Sequence, residues 1–197
     1  MGSQQVFQPL TKEDTITVVL YRAGIVISAV IMSCLACLLA VSLPSGSSPL
    51  ADILAYGLYV SVGVSVFFIH LYIGKFKTFL KNLYYLGLGG LAALLFIGNG
   101  SLSGALMHEP YSALLLLPLS GCLGFVTAKE AFCFQLFEGY LLAMIMPSYL
   151  LLVSVGILSG RGVFFGLVLI AVMLAVFTLR KVTMPLAYDI GDKSAYQ

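Results

Sequence analysis

Tryptophan is absent from this chain of 197 residues, and charged side chains are scarce, at 9% against about 25% in an ordinary globular domain. That scarcity excludes a water-soluble fold. A folded chain of this size still exposes ~30% of its unfolded surface, and so few charges cannot cover it. Ten basic and eight acidic residues leave a net charge of +2, too small and too scattered for a nucleic-acid surface. Two histidines and four cysteines supply neither a metal set nor a secreted disulfide pattern. No nucleophile elbow, phosphate loop or paired intramembrane aspartate occurs, so no catalytic residue and no metal are expected. A cleavable leader pattern is missing as well: the first apolar run has no small-residue cleavage site behind it.

What fills the chain instead is apolar. Hydrophobic residues make up 60%, the 20 glycines lift that share to about 70% against the ordinary 45–50%, and every count points to a polytopic membrane protein. Mean hydropathy is +1.06. A spanning helix needs ~20 apolar residues, and six apolar segments can be read, at 21–43, 51–73, 83–97, 111–127, 132–158 and 163–179. Pro44-Ser-Gly-Ser-Ser-Pro49 closes the first, and the basic stretch from Lys75 to Lys81 follows the second. The expected fold is all-α: one integral membrane domain, 1–197, a bundle of six transmembrane helices.

The basic residues test the count of spans. With six spans, Lys12, Arg22, Lys75, Lys77, Lys81, Lys129, Arg180, Lys181 and Lys193 fall on the side of the termini, and Arg161 alone on the other. The positive-inside rule then places both termini in the cytoplasm. Tyr21, Tyr72, Tyr84, Tyr85 and Tyr188 are expected near the inner boundary, and Tyr56 and Tyr111 near the outer one, where amphipathic rings are favoured. Glycines recur within spans, which suits close helix packing in lipid. No repeat relates the two three-helix halves.

The segment 127–139 is the most informative. Lys129, Glu130, Cys133, Gln135 and Glu138 stand between two apolar spans, where a short loop would carry Gly, Ser or Pro. On one continuous helix, Glu130, Phe134 and Glu138 would share a face. Glu138 would lie about 12 Å deeper than Glu130, where an ionised carboxylate costs ~2.5–3.5 kcal/mol. Lys129, Glu130, Cys133 and Glu138 are therefore the candidate polar site: either a structural hydrogen-bonding group or a ligand, ion or proton site. The run Lys129-Glu-Ala-Phe-Cys-Phe134, in a chain of six spans with polar ends, resembles an uncharacterised bacterial integral membrane family of cyanobacterial type. That resemblance implies a fold and a compartment, a bacterial plasma or thylakoid membrane, and no reaction.

Cys34-Leu-Ala-Cys37 has redox spacing but sits inside the first span, where neither a thiolate nor a partner has access; small apolar filler is the expected role. His70, in Phe67-Phe-Ile-His-Leu-Tyr72, is a possible pigment ligand through its imidazole; no other cofactor is expected. His108 and Glu109 in the outer loop fall short of a metal set. Two functions remain: a non-catalytic accessory or assembly factor binding other membrane proteins, or a small-solute or ion transporter using Glu138 and Glu130. An intramembrane enzyme lacks its constellation of residues.

Overall fold

The computed structural model describes residues 11–42, 48–71, 73–158 and 160–190. The chain order is α1 (Lys12–Ser42), α2 (Pro49–Phe68), α3 (Gly74–Ile97), a short α4 (Leu102–His108), a 3₁₀ turn (Pro110–Leu116) running into α5 (Leu117–Phe134), α6 (Phe137–Ser154), α7 (Gly160–Val182) and a single-turn α8 (Ala187–Ile190). Among the described residues, six helical stretches are long and apolar enough to cross a membrane, the fourth being Pro110–Phe134. The all-α, six-helix expectation holds.

Several helices overrun the expected spans, each for a local reason. α1 begins at Lys12 because Thr11 and Asp14 cap it reciprocally: the Asp14 amide donates to Thr11 Oγ1 at 3.2 Å and the Thr11 amide to Asp14 Oδ2 at 2.9 Å. At 1.5 Å per residue, its 31 residues make a rod of about 46 Å, longer than the ~30 Å hydrocarbon layer. α3 begins at Gly74, so Lys75, Lys77 and Lys81 stand on helix rather than in a loop. Phe76 packs tilted on Phe125 at 6.1 Å and Leu80 is fully buried, which holds those first turns against the bundle. Pro118 lies in the first turn of α5, where its missing N–H breaks nothing.

Neighbouring helices are mostly neighbours in sequence. α1 packs on α2 and α7, α5 on α3 and α6, and α6 on α7. Where α1 crosses α2, a Cβ on Gly24 would fall 2.6 Å from the Ser61 carbonyl oxygen. Ser28 and Ser61 meet there through their hydroxyls at 2.8 Å, and Ser65 Oγ donates to the Tyr21 carbonyl at 3.2 Å. Small residues thus bring polar groups into partnership inside an apolar medium. Tyr21 and Tyr84 are buried against neighbouring helices, where each hydroxyl has a polar partner: Tyr84 donates to the Tyr59 carbonyl at 3.0 Å and Tyr21 to Glu130 Oε1 at 2.7 Å. Tyr72 and most of the 44–49 loop lie outside the described residues.

Candidate functional site

Where α1 begins and α7 ends, five ionisable side chains and a phenol meet in the interior. Glu130, on the last turns of α5, is fully buried. Its Oε1 accepts from the Tyr21 hydroxyl and from Lys129 Nζ, both at 2.7 Å, and its Oε2 pairs with Lys181. Lys181, also fully buried, pairs on its other side with Asp189 Oδ1. The second Asp189 oxygen takes Arg22 Nε at 2.6 Å, while Arg22 Nη1 donates to the Met184 carbonyl at 2.6 Å and Nη2 to that of Pro185 at 3.0 Å. The Lys181 ammonium also stands 3.9 Å above the Phe134 ring.

This network joins α1, α5, α7 and the segment after α7. Taking an ion out of water costs several kcal/mol, and only close partners repay it. Here three cations share two carboxylates among the described residues. The arrangement binds helices to one another: Glu130 Oε1 takes both of its hydrogen bonds, while Oε2 is ion-paired with Lys181 without a hydrogen bond.

Lys129 and Glu130 belong to this network, whereas Cys133 and Glu138 do not. α5 ends at Phe134 because Gln135 turns left-handed, at φ 55°, so Glu130 and Glu138 lie on different helices rather than along one face. Glu138 sits in the first turn of α6 and pairs with Arg180 at the bundle surface, their side chains 22% and 51% exposed. The one-helix expectation failed because a single left-handed residue suffices to break an apolar, polar-spotted run that carries no Gly or Pro at the break. Cys133 is exposed on the bundle surface, as are Cys34 and Cys37. His70 lies in the 69–73 connection, with Nε2 3.2 Å from Thr17 Oγ1 and Nδ1 buried without a hydrogen-bond partner. Burial draws its imidazole below the ordinary value, and Lys129 and Lys77 lower it further.

Tyr21, Arg22, Lys181 and Asp189 escaped the sequence reading. Arg22 was legible in principle: the Thr11–Asp14 capping box starts the helix ten residues earlier, which sets Arg22 about 15 Å along it. Lys181 reads as one more flanking cation, and nothing in the tail marks Asp189.

In the opposite half of the bundle lies an apolar cavity of about 570 Å³ lined by Met32, Leu58, Tyr59, Leu119, Met146 and Ile170 among others. Among the described residues no charged side chain lines it, and neither Glu130 nor Glu138 reaches it.

A family model described as "Uncharacterized integral membrane protein (DUF2301)" matches residues 64–197. That stretch includes Lys129, Glu130, Lys181 and Asp189, and leaves out Tyr21 and Arg22. A Haemophilus influenzae protein described as "Uncharacterized protein" is 28% identical over 205 residues, spanning 100% of this chain and 99% of the relative. No solved structure matches. The matches carry the integral-membrane part of the resemblance and a bacterial membrane; they do not speak for its cyanobacterial part.

Proposed function

The chain belongs to the integral membrane protein family DUF2301, and from that premise we propose that it is a non-catalytic accessory or assembly factor that binds other membrane proteins. The observation that carries this reading is the burial of Glu130 between two cations. A transporter working through Glu130 needs that carboxylate within reach of water or cargo, whereas Glu130 is fully buried between Lys129 and Lys181, its Oε1 hydrogen-bonded and its Oε2 ion-paired with Lys181 without a hydrogen bond. The cavity in the other half is lined by apolar side chains and, among the described residues, by no charged one, which suits contact with hydrocarbon rather than passage of a polar solute. Glu138, the other carboxylate a transporter would use, is held through Oε1 by the half-exposed Arg180, with its Oε2 buried and without a hydrogen-bond partner.

The same reading keeps the termini in the cytoplasm. Setting aside the cations held in the network, Lys12, Lys75, Lys77, Lys81, Arg180 and Lys193 still oppose Arg161 alone.

A photo-crosslinking side chain tests the binding. Phe96 and Phe132 lie on the outer surface of the bundle, 87% and 79% exposed. Crosslinker at one of these positions should yield a discrete heavier species containing a second membrane protein. Lipid adducts alone at both positions, together with solute flux in vesicles holding the pure protein, would replace this reading with transport.

A further inference from the structure

Two regularities of protein interiors fail at one place in the bundle. Interiors are close-packed, with few voids larger than a water molecule, yet α1, α2, α5, α6 and α7 surround a cavity of about 570 Å³. Those five helices pack in a ring, α1 on α2, α2 on α5, α5 on α6, α6 on α7 and α7 on α1. Each contributes side chains to the wall. Buried hydroxyls, for their part, are nearly always hydrogen-bonded. Tyr59 belongs to that wall and is 3% exposed, and its buried hydroxyl has no hydrogen-bond partner. It stands about 15 Å along α2, at mid-helix. Tyr149, Ser120 and Ser103, also in the wall, spend their hydroxyls within the chain, on the carbonyls of Val163, Leu117 and Ser48 at 3.0, 3.0 and 3.4 Å.

The wall specifies the chemistry of an occupant. Water does not suit, because it needs about two to four polar partners, and an apolar cavity of about 150 Å³ stays dry and takes benzene instead. An ion does not suit either, since among the described residues no charged side chain lines the wall. Hydrocarbon does: Leu58 and Leu119 offer apolar surface, and the unbranched Met32 and Met146 adapt to an irregular shape. The volume falls within the range of small-molecule sites, about 300–1,000 Å³. The Tyr59 hydroxyl adds one requirement, an oxygen that accepts its hydrogen bond. We propose that the cavity binds an uncharged, lipid-soluble molecule, its hydrocarbon part among these side chains and a carbonyl oxygen accepting from Tyr59. One occupant then removes both exceptions.

The probe is 2-undecanone, with undecane as its counterpart lacking the carbonyl. In the full-length protein, held in a carbonyl-free detergent, both should raise the thermal midpoint saturably. The carbonyl stretching band of the bound ketone should move to lower frequency, the mark of an accepted hydrogen bond. Tyr59→Phe keeps the ring, loses no internal partner and should accumulate normally. In that variant the band should stay where it lies in hydrocarbon, and ketone affinity should fall severalfold while undecane affinity holds. Ala55→Phe, which fills the cavity from α2, should abolish both responses. The proposal is overturned by the lack of a saturable response in the unmodified protein, by an identical carbonyl band in Tyr59→Phe, or by undiminished ketone binding in Ala55→Phe. Should Ala55→Phe fail to accumulate, the Tyr59→Phe comparison decides alone.

Discussion

Glu130 and Glu138 carry the same carboxylate eight positions apart, and their surroundings separate them. Removing the charge of Glu130 leaves Lys129 without its carboxylate and the buried Lys181 with Asp189 alone, which Arg22 already shares, and breaking a buried pair costs ~3–5 kcal/mol. Glu130→Gln should therefore cut protein abundance severely, as read from the folded fraction in detergent. Glu138→Gln disturbs a surface pair worth about 0–1 kcal/mol and should leave abundance nearly unchanged. The sequence ranked these two in the opposite order. It found the right segment and missed the left-handed turn at Gln135, because a non-glycine residue at positive φ leaves no compositional trace. Changing Cys34 and Cys37 together to Ala should likewise be silent, since both thiols face outward from the bundle. His70 gives a pH signature. Its imidazole titrates below the ordinary value of about 6.5 in the folded protein. The unfolded chain thus takes up the proton first, and stability present above about pH 6.5 is lost as pH falls. His70→Gln should flatten that acid limb in a thermal-melt series across pH, and an unchanged limb would mean that other groups produce it.

Helix pairing rests on backbone proximity as much as on side-chain volume. Gly139, at the start of α6, lies so close to α5 that a Cβ would fall 2.4 Å from the Thr127 carbonyl oxygen and 2.9 Å from Ala131 Cβ. A rigid carbonyl cannot yield as a flexible side chain does, so Gly139→Ala should force the two helices apart and destabilise by ~1–3 kcal/mol. Gly89 on α3 meets nothing within 4 Å. Gly89→Ala should be neutral or stabilising by up to about 1 kcal/mol, through helix propensity alone. Opposite signs for these two changes in one thermal series would establish packing, rather than a hinge, as the reason for the first. At this scale the sequence was a good guide to the number and rough place of the helices, since each span announces itself by apolar length. It was a poor guide to their ends. The starts of α1 and α3 depend on a cap and on aromatic packing, which extend a helix beyond its apolar core.

For the molecule as a whole, orientation is the property most open to test. With the four native cysteines replaced, single cysteines placed in 99–110 should react with an impermeant reagent from outside the cell. Labelling only after the membrane is opened would invert the bundle. Charge asymmetry was legible from the sequence because it needs only counting, whereas the buried network was not, since it is assembled from residues as far apart as 22 and 189.

That separation constrains how the protein can be made. α1 leaves the ribosome first, with Arg22 well along its length, yet the carboxylate that neutralises Arg22 is translated 167 positions later. Until then Arg22 lacks the carboxylate that holds it in the finished bundle, and its long side chain can meet water or headgroups from the inner end of the first span. The contacts that fix α1 against the end of α7 therefore form only after five further spans have been made. Closure then comes in one late step, when the tail reaches back. A chain halted anywhere before Asp189 would present an unfinished α1 to the quality-control proteases of the membrane, however completely its other helices had packed.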